Sequence, residues 1–154
     1  MGEEIERKFL VTGDGWRERG PAVRYCQGFL STDPERTVRV RIAGDKGSLT
    51  IKGKTLGSRR AEFEYEIPMD DAQRMLETLC KRPLIEKVRH TITSGMHTWE
   101  IDVFEGENDG LVIAELELES EDEAFERPDW IGAEVTEDPR YFNSNLVERP
   151  YNTW

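Results

Sequence analysis

Cysteine and histidine are scarce, with two of each in 154 residues. Cys26 and Cys80 are too few for a disulfide framework and show no metal-ligand spacing. The chain therefore reads as a reduced, cytoplasmic protein in which both cysteines are small buried residues. No apolar run approaches the length of a transmembrane helix, and the acidic amino terminus does not resemble a secretory signal. Low-complexity stretches and fixed-period repeats are absent, as are a Walker loop, a GxGxxG turn and a Ser/His/Asp grouping. Apolar residues make up only 36 %, which suits a domain whose interior includes one polar layer. The length favours a single domain, 1–154, with room for a real core. Net charge is −11, from 32 acidic and 21 basic residues, which argues against a nucleic-acid or anionic-membrane surface. A small polyanion bound inside is not excluded, because local charge decides that.

What the chain does contain is alternation. Glu4, Glu6 and Lys8 are spaced two apart, so in a strand they share one face. Two neighbouring carboxylates repel unless a cation lies between them. A metal ion fills that role, and the adjacent lysine suggests an anion bound to it. The same period places Arg39 with Arg41, Lys52 with Lys54, Lys87 with Arg89, and Glu100 with Asp102. It also aligns Glu62, Glu64 and Glu66, and Glu115, Glu117 and Glu119. The opposite faces carry Val38, Val40 and Ile42, or Phe63, Tyr65 and Ile67. A solvated sheet face explains any one such strand. It explains the set less well, because each charged strand is nearly single-signed. Like charges across a sheet cost a few tenths to ~1 kcal/mol per pair. Closing the sheet into a barrel, charges inward, brings basic strands against acidic ones and creates a site for a polyanion with its metal ions.

Strands are expected at about 3–11, 23–31, 36–43, 48–54, 60–67, 85–93, 97–104 and 111–119. Asp33-Pro34, Gly44 to Gly47, Ser94-Gly95 and Gly106 to Gly110 supply the turns. The fold class is mainly β with flanking helices, an eight-stranded antiparallel closed barrel forming a tunnel with a charged interior. A helix from Asp70 to Leu79 presents Ala72, Met75, Leu76 and Leu79 to the outside of the barrel. Ser120 to Glu123 reads as a capping box opening a short helix ended by Pro128. Pro139 opens a last helix through about Leu146, and Trp130 and Ile131 pack this tail on the barrel. Gly53 to Gly57 reads as a mobile loop beside the site. His90 and His97 fall on the apolar parity and read as structural or surface residues.

The ordered series of pairs resembles the CYTH superfamily, the triphosphate tunnel metalloenzymes. Glu4-x-Glu6-x-Lys8 matches their ExExK signature. The likeness runs on through Gln27 to Leu30, Arg39-x-Arg41, Thr50 to Lys52, Arg60-x-Glu62-x-Glu64, Glu86-Lys87-x-Arg89, Glu100-x-Asp102, Glu115-x-Glu117, Glu134 to Asp138 and Arg140-Tyr141-x-Asn143. It implies that Lys8, Arg39, Arg41, Lys52, Lys87 and Arg89 contact phosphates, with Lys54 a weaker candidate. Arginine forks match phosphate oxygens and lysines act as point charges. Glu4, Glu6, Glu115 and Glu117 bind one divalent ion in this reading, with Glu62, Glu64 and Asp102 available for a second. Hard oxygen ligands favour Mg2+ or Mn2+. One ion bridges phosphate oxygens and the other acidifies the attacking water, whose proton goes to Glu62 or Glu64. Lys8 joins these two as a candidate catalytic group. Glu66, Glu100 and Glu119 share the parity but fall towards the rims. Phe29 stands where family members often carry tyrosine.

The small stand-alone bacterial members that the chain resembles include hydrolases of inorganic triphosphate. That activity, giving pyrophosphate and phosphate, is the leading expectation. The alternatives are a nucleoside or thiamine triphosphatase, an adenylate cyclase of the same fold, or a non-catalytic polyphosphate or nucleotide binder. The expected partner is a small polyphosphate, with neither nucleic acid nor membrane, and a homodimer is left open. The inward positions offer little to a base, so inorganic triphosphate is expected to be cleaved faster than ATP.

Overall fold

The computed structural model describes residues 2–154. Eight antiparallel strands appear close to their expected positions. They are β1 (Gly2–Val11), β2 (Ala22–Ser31), β3 (Arg36–Ala43), β4 (Lys46–Gly53), β5 (Arg59–Ile67), β6 (Ile85–Ser94), β7 (His97–Phe104) and β8 (Val112–Leu118). Their order is β5-β4-β3-β2-β6-β7-β8-β1, and pairing of β1 with β5 closes the barrel. The register joins Lys8 to Glu115, Arg89 to Asp102, Lys52 to Glu62 and Glu4 to Arg60. Opposite charges therefore meet at these four places, while Glu6 faces Glu117 and Glu100 faces Glu115.

The outward residues are buried in two places. Ile5, Phe9, Trp99, Ile101 and Leu116 form one cluster with Trp16, Phe125 and Trp130 from the long connections. Val40, Ile42 and Leu49 form another beneath α1 (Met69–Thr78), against Ala72 and Leu76. Gly28 lies in the second cluster. A Cβ there would fall 2.7 Å from Cys80 Cβ, so only glycine lets β2 approach the chain leaving α1 this closely. A third cluster joins Phe29, Ile85, Phe104 and Ile113, at the ends of their strands, to Tyr141, Leu146 and Val147 of the tail. One end of the barrel is thereby plugged.

Three expectations need correction. A ninth strand, β9 (Ile131–Glu134), adds to the edge of β1 at Phe9 and Val11. Ile131 thus sits in the sheet, while Trp130 is buried in the aromatic cluster beside it. Ser120 to Glu123 opens no helix. The Glu123 carboxylate accepts from the Glu119 amide and Ser120 donates to Asp122, which satisfies one turn. Phe125 then packs edge-on against both Phe9 and Trp99, and the chain runs on without regular structure. The last helix is split. Asp138 caps a 3-10 turn at Pro139–Tyr141, Phe142 is extended, and α2 spans only Asn143–Glu148.

Val40 and Ile51 share the outward face, but Val40 is fully buried under α1 while Ile51 is 38 % exposed. Val40→Lys is expected to lower stability by more than about 4 kcal/mol, because it buries an unpaired charge. Ile51→Lys should change stability by no more than about 0.5 kcal/mol. Denaturant unfolding of both variants checks this.

Candidate active site

The barrel encloses a cavity of about 270 Å³, floored by Phe142, Asn143 and Ser144 at the plugged end. Basic and acidic side chains line it in equal number. Glu4, Glu6, Lys8, Arg39, Arg41, Lys52, Glu62, Glu64, Lys87, Arg89, Glu115 and Glu117 all reach it. Two of the residues singled out from the sequence do not. Lys54 is exposed just past the end of β4. Asp102 lies behind the wall with no exposure, both oxygens committed to Arg89 and one also to Lys87 at 2.7 Å. Glu100, expected near a rim, lines the cavity 3.3 Å from Arg89. Arg60, Thr37 and Thr50 also line it. They share parity with Glu62, Arg39 and Lys52, but their charge or hydroxyl breaks the single-signed pairs, so the sequence pattern gives them no role.

The charges are segregated. Arg39, Arg41, Lys87 and Arg89 rise from β3 and β6, with Tyr25 among them. Arg39 donates to Thr50 at 3.1 Å, while its buried Nε has no partner among the described residues. Among the described residues Arg41 donates only to Gln27, at 3.0 Å. Burial, followed by the neighbouring Arg39 and Arg89, pushes Arg41 down to about 9. Burial outweighs Asp102 at Lys87 and brings it to about 7. This wall is short of negative charge.

The opposite corner, from β1, β5 and β8, is short of positive charge. Lys52 pairs with Glu4 at 2.7 Å and Glu62 at 3.5 Å. Lys8 pairs with Glu115 at 2.6 Å and Glu6 at 3.0 Å. Burial alone would lower the Lys8 ammonium, but these two carboxylates hold it above its ordinary value. Glu117 faces Glu6 directly across the ladder and has no basic partner within ion-pair distance among the described residues. Burial, then Glu4, Glu6 and Glu62, raise its carboxyl above the usual range. An all-oxygen donor set that repels itself in this way fits a hard divalent cation. Among the described residues no three carboxylates converge tightly enough to hold an ion as they stand. Lys52 and Lys8 occupy Glu4, Glu6 and Glu115 instead.

His97 meets Glu123 and His90 packs on Trp16, both on the outside. No helix among the described residues is long and apolar enough to cross a membrane.

A closed antiparallel barrel with this inward pattern of acids and bases defines a tunnel-type polyanion site. The chain belongs to the CYTH domain family, whose pattern matches residues 2–151. It is 53 % identical over 154 residues to a protein named inorganic triphosphatase from Acetivibrio thermocellus, covering 100 % of this chain and 99 % of that one. It is 40 % identical over 152 residues to another of that name from Nitrosomonas europaea, covering 94 % and 96 %. The crystal structure of the inorganic triphosphatase NE1496 superposes with a TM-score of 0.65 at 36 % identity, covering 93 % of this chain and 96 % of that one.

Glu117 generates a test in the metal-free protein. A carboxyl raised on folding contributes its stability below the unfolded value of 4.5 and loses it as pH rises through the folded value. Glu117→Gln should therefore raise the melting temperature at neutral pH and bring no gain well below 4.5. Thermal unfolding in chelator at both pH values reads the difference.

Proposed function

We propose that the protein hydrolyses inorganic triphosphate to pyrophosphate and phosphate inside the barrel, with a divalent cation. The observation that carries this reading is the lining, in which Arg39 and Arg41 have no carboxylate within ion-pair distance and Glu64 and Glu117 in the opposite corner no basic group, among the described residues. Neither half is satisfied alone, and a metal-bound polyphosphate satisfies both.

Arg39, Arg41, Lys87 and Arg89 bind phosphate oxygens in this reading. Arg39 is tied only to Thr50 among the described residues, so its guanidinium keeps donors for them. Lys8 and Lys52 contribute once released from their carboxylates, and Arg60 adds a further cation beside Glu62. Glu4, Glu6, Glu115 and Glu117 would hold a divalent ion, with Glu62 and Glu64 available for a second, and such an ion would polarise phosphoryl oxygens and acidify water. Mg2+ or Mn2+ suits these oxygen donors. Glu64 has no ion-pair partner among the described residues, so it is the freer acceptor for the proton of the attacking water. That water attacks a terminal phosphorus, and pyrophosphate leaves against the arginine wall.

Substrate choice follows from what the cavity cannot stack. Tyr25 is the aromatic ring nearest the cations, and Arg41 and Arg89 cover it at 4.7 and 4.9 Å. Phe29 is buried in the plug cluster. No aromatic ring among the cations is left uncovered to stack a base. The unpaired thiols of Cys26 and Cys80 support a reducing, cytoplasmic setting.

Phosphate release from inorganic triphosphate should stop in excess chelator and return with Mg2+ or Mn2+. Under identical Mg2+, kcat/KM for inorganic triphosphate should exceed that for ATP. Cleavage in chelator contradicts the metal requirement. ATP turnover equal to or above that of triphosphate, or cyclic AMP as product, points to the nucleotide enzymes of this fold.

A further inference from the structure

The tail does more than plug the barrel. Asn143 opens α2, and its Oδ1 accepts from Lys87 Nζ at 3.0 Å and from Gln27 Nε2 at 2.6 Å. Gln27 is fully buried, and its Oε1 accepts from Arg41 Nε at 3.0 Å. The amide orientations are fixed by their partners. Lysine and arginine only donate, so an oxygen must face each of them. The Gln27 nitrogen is then left for the one oxygen that Asn143 offers.

We propose that Asn143 and Gln27 are positioning residues for triphosphate, holding Lys87 and Arg41 aimed into the cavity through neutral acceptors. This inference rests on the reading of the cavity as a triphosphate site.

Neutrality is the point of the arrangement. Arg41 has only its Nε tied back among the described residues, Lys87 has two of its three donors committed, to Asp102 and Asn143, and both side chains line the cavity. A carboxylate in either place would orient the cation equally well but neutralise it, and would repel the phosphates. Asp102 already supplies one anion to Lys87. The amides fix direction without adding a second. Asn143 also ties the two cations to one helix, so their spacing is set by the tail rather than by strand register alone. That spacing sets which phosphate oxygens the two cations can reach together.

Asn143→Asp tests this directly. An acid in the first turn of a helix is at worst neutral for folding, so the melting temperature should stay the same or rise. KM for triphosphate should rise about tenfold or more, the size expected for one charge-assisted contact, with kcat changed much less. Tripolyphosphate affinity by calorimetry should weaken in parallel. Gln27→Glu should act in the same direction. The double variant should lose less than the two single losses combined, because both act on one network. Asn143→Ser, which keeps a neutral acceptor, should recover part of the affinity. Unchanged KM and affinity in folded Asn143→Asp overturns the proposal, as does a loss confined to kcat or to melting temperature. If the wild type cleaves no triphosphate, the functional reading fails instead. Weaker tripolyphosphate binding by the variants would still support the positioning role.

Discussion

The interior depends on Asp102. It has no exposure and accepts three hydrogen bonds from Lys87 and Arg89 at 2.7 to 2.9 Å. Burial would raise its carboxyl, but Arg89 and Lys87 outweigh that and keep it ionised. Removing one member of such a buried pair leaves an uncompensated charge, which typically costs about 3–5 kcal/mol. Two cations are thereby fixed inside a closed barrel, and Arg89 reaches on to Glu115, which holds Lys8. One continuous chain of ion pairs runs from β6 through β7 and β8 to β1.

That chain ends unevenly. Beyond Arg89 the wall continues to Arg41 and Arg39, where positive charge exceeds its local partners. Beyond Lys8 it continues to Glu6 and Glu117, where negative charge does. Packing alone would favour apolar residues at these positions. The apolar plug from the tail and the aromatic cluster outside the barrel hold the wall closed around charges that do not satisfy one another. The imbalance is the functional feature. It gives each side of the cavity a vacancy of definite sign, and the lysines that bridge the two sides are available to change partners when a metal-bound anion enters.

Much of this was legible in the sequence because a strand has a period of two. Each strand's own alternation marks its charged face, and the single-signed faces taken together, with evenly spaced turns, point to a closed barrel. Chemistry that parity does not carry was harder to see. Asp102 shares the inward parity, but register puts it directly opposite Arg89, which draws it behind the wall. Lys54 has the parity too, but β4 ends at Gly53. Gln27 and Asn143 are 116 residues apart and uncharged, so no pattern of charges joins them. β9 is four residues long and carries Gly132, too little to register as a strand. The turn at Ser120 had the right capping residues, but a tertiary contact of Phe125 overrode them.

The most direct test is a crystal structure of the protein soaked with Mn2+ and a non-hydrolysable imido analogue of triphosphate, located by the anomalous signal of manganese. Phosphates are expected on Arg39, Arg41, Lys87 and Arg89 within the barrel, and manganese between them and Glu4, Glu6 and Glu117. Phosphates bound outside the barrel, or manganese away from these carboxylates, would contradict this reading of the site.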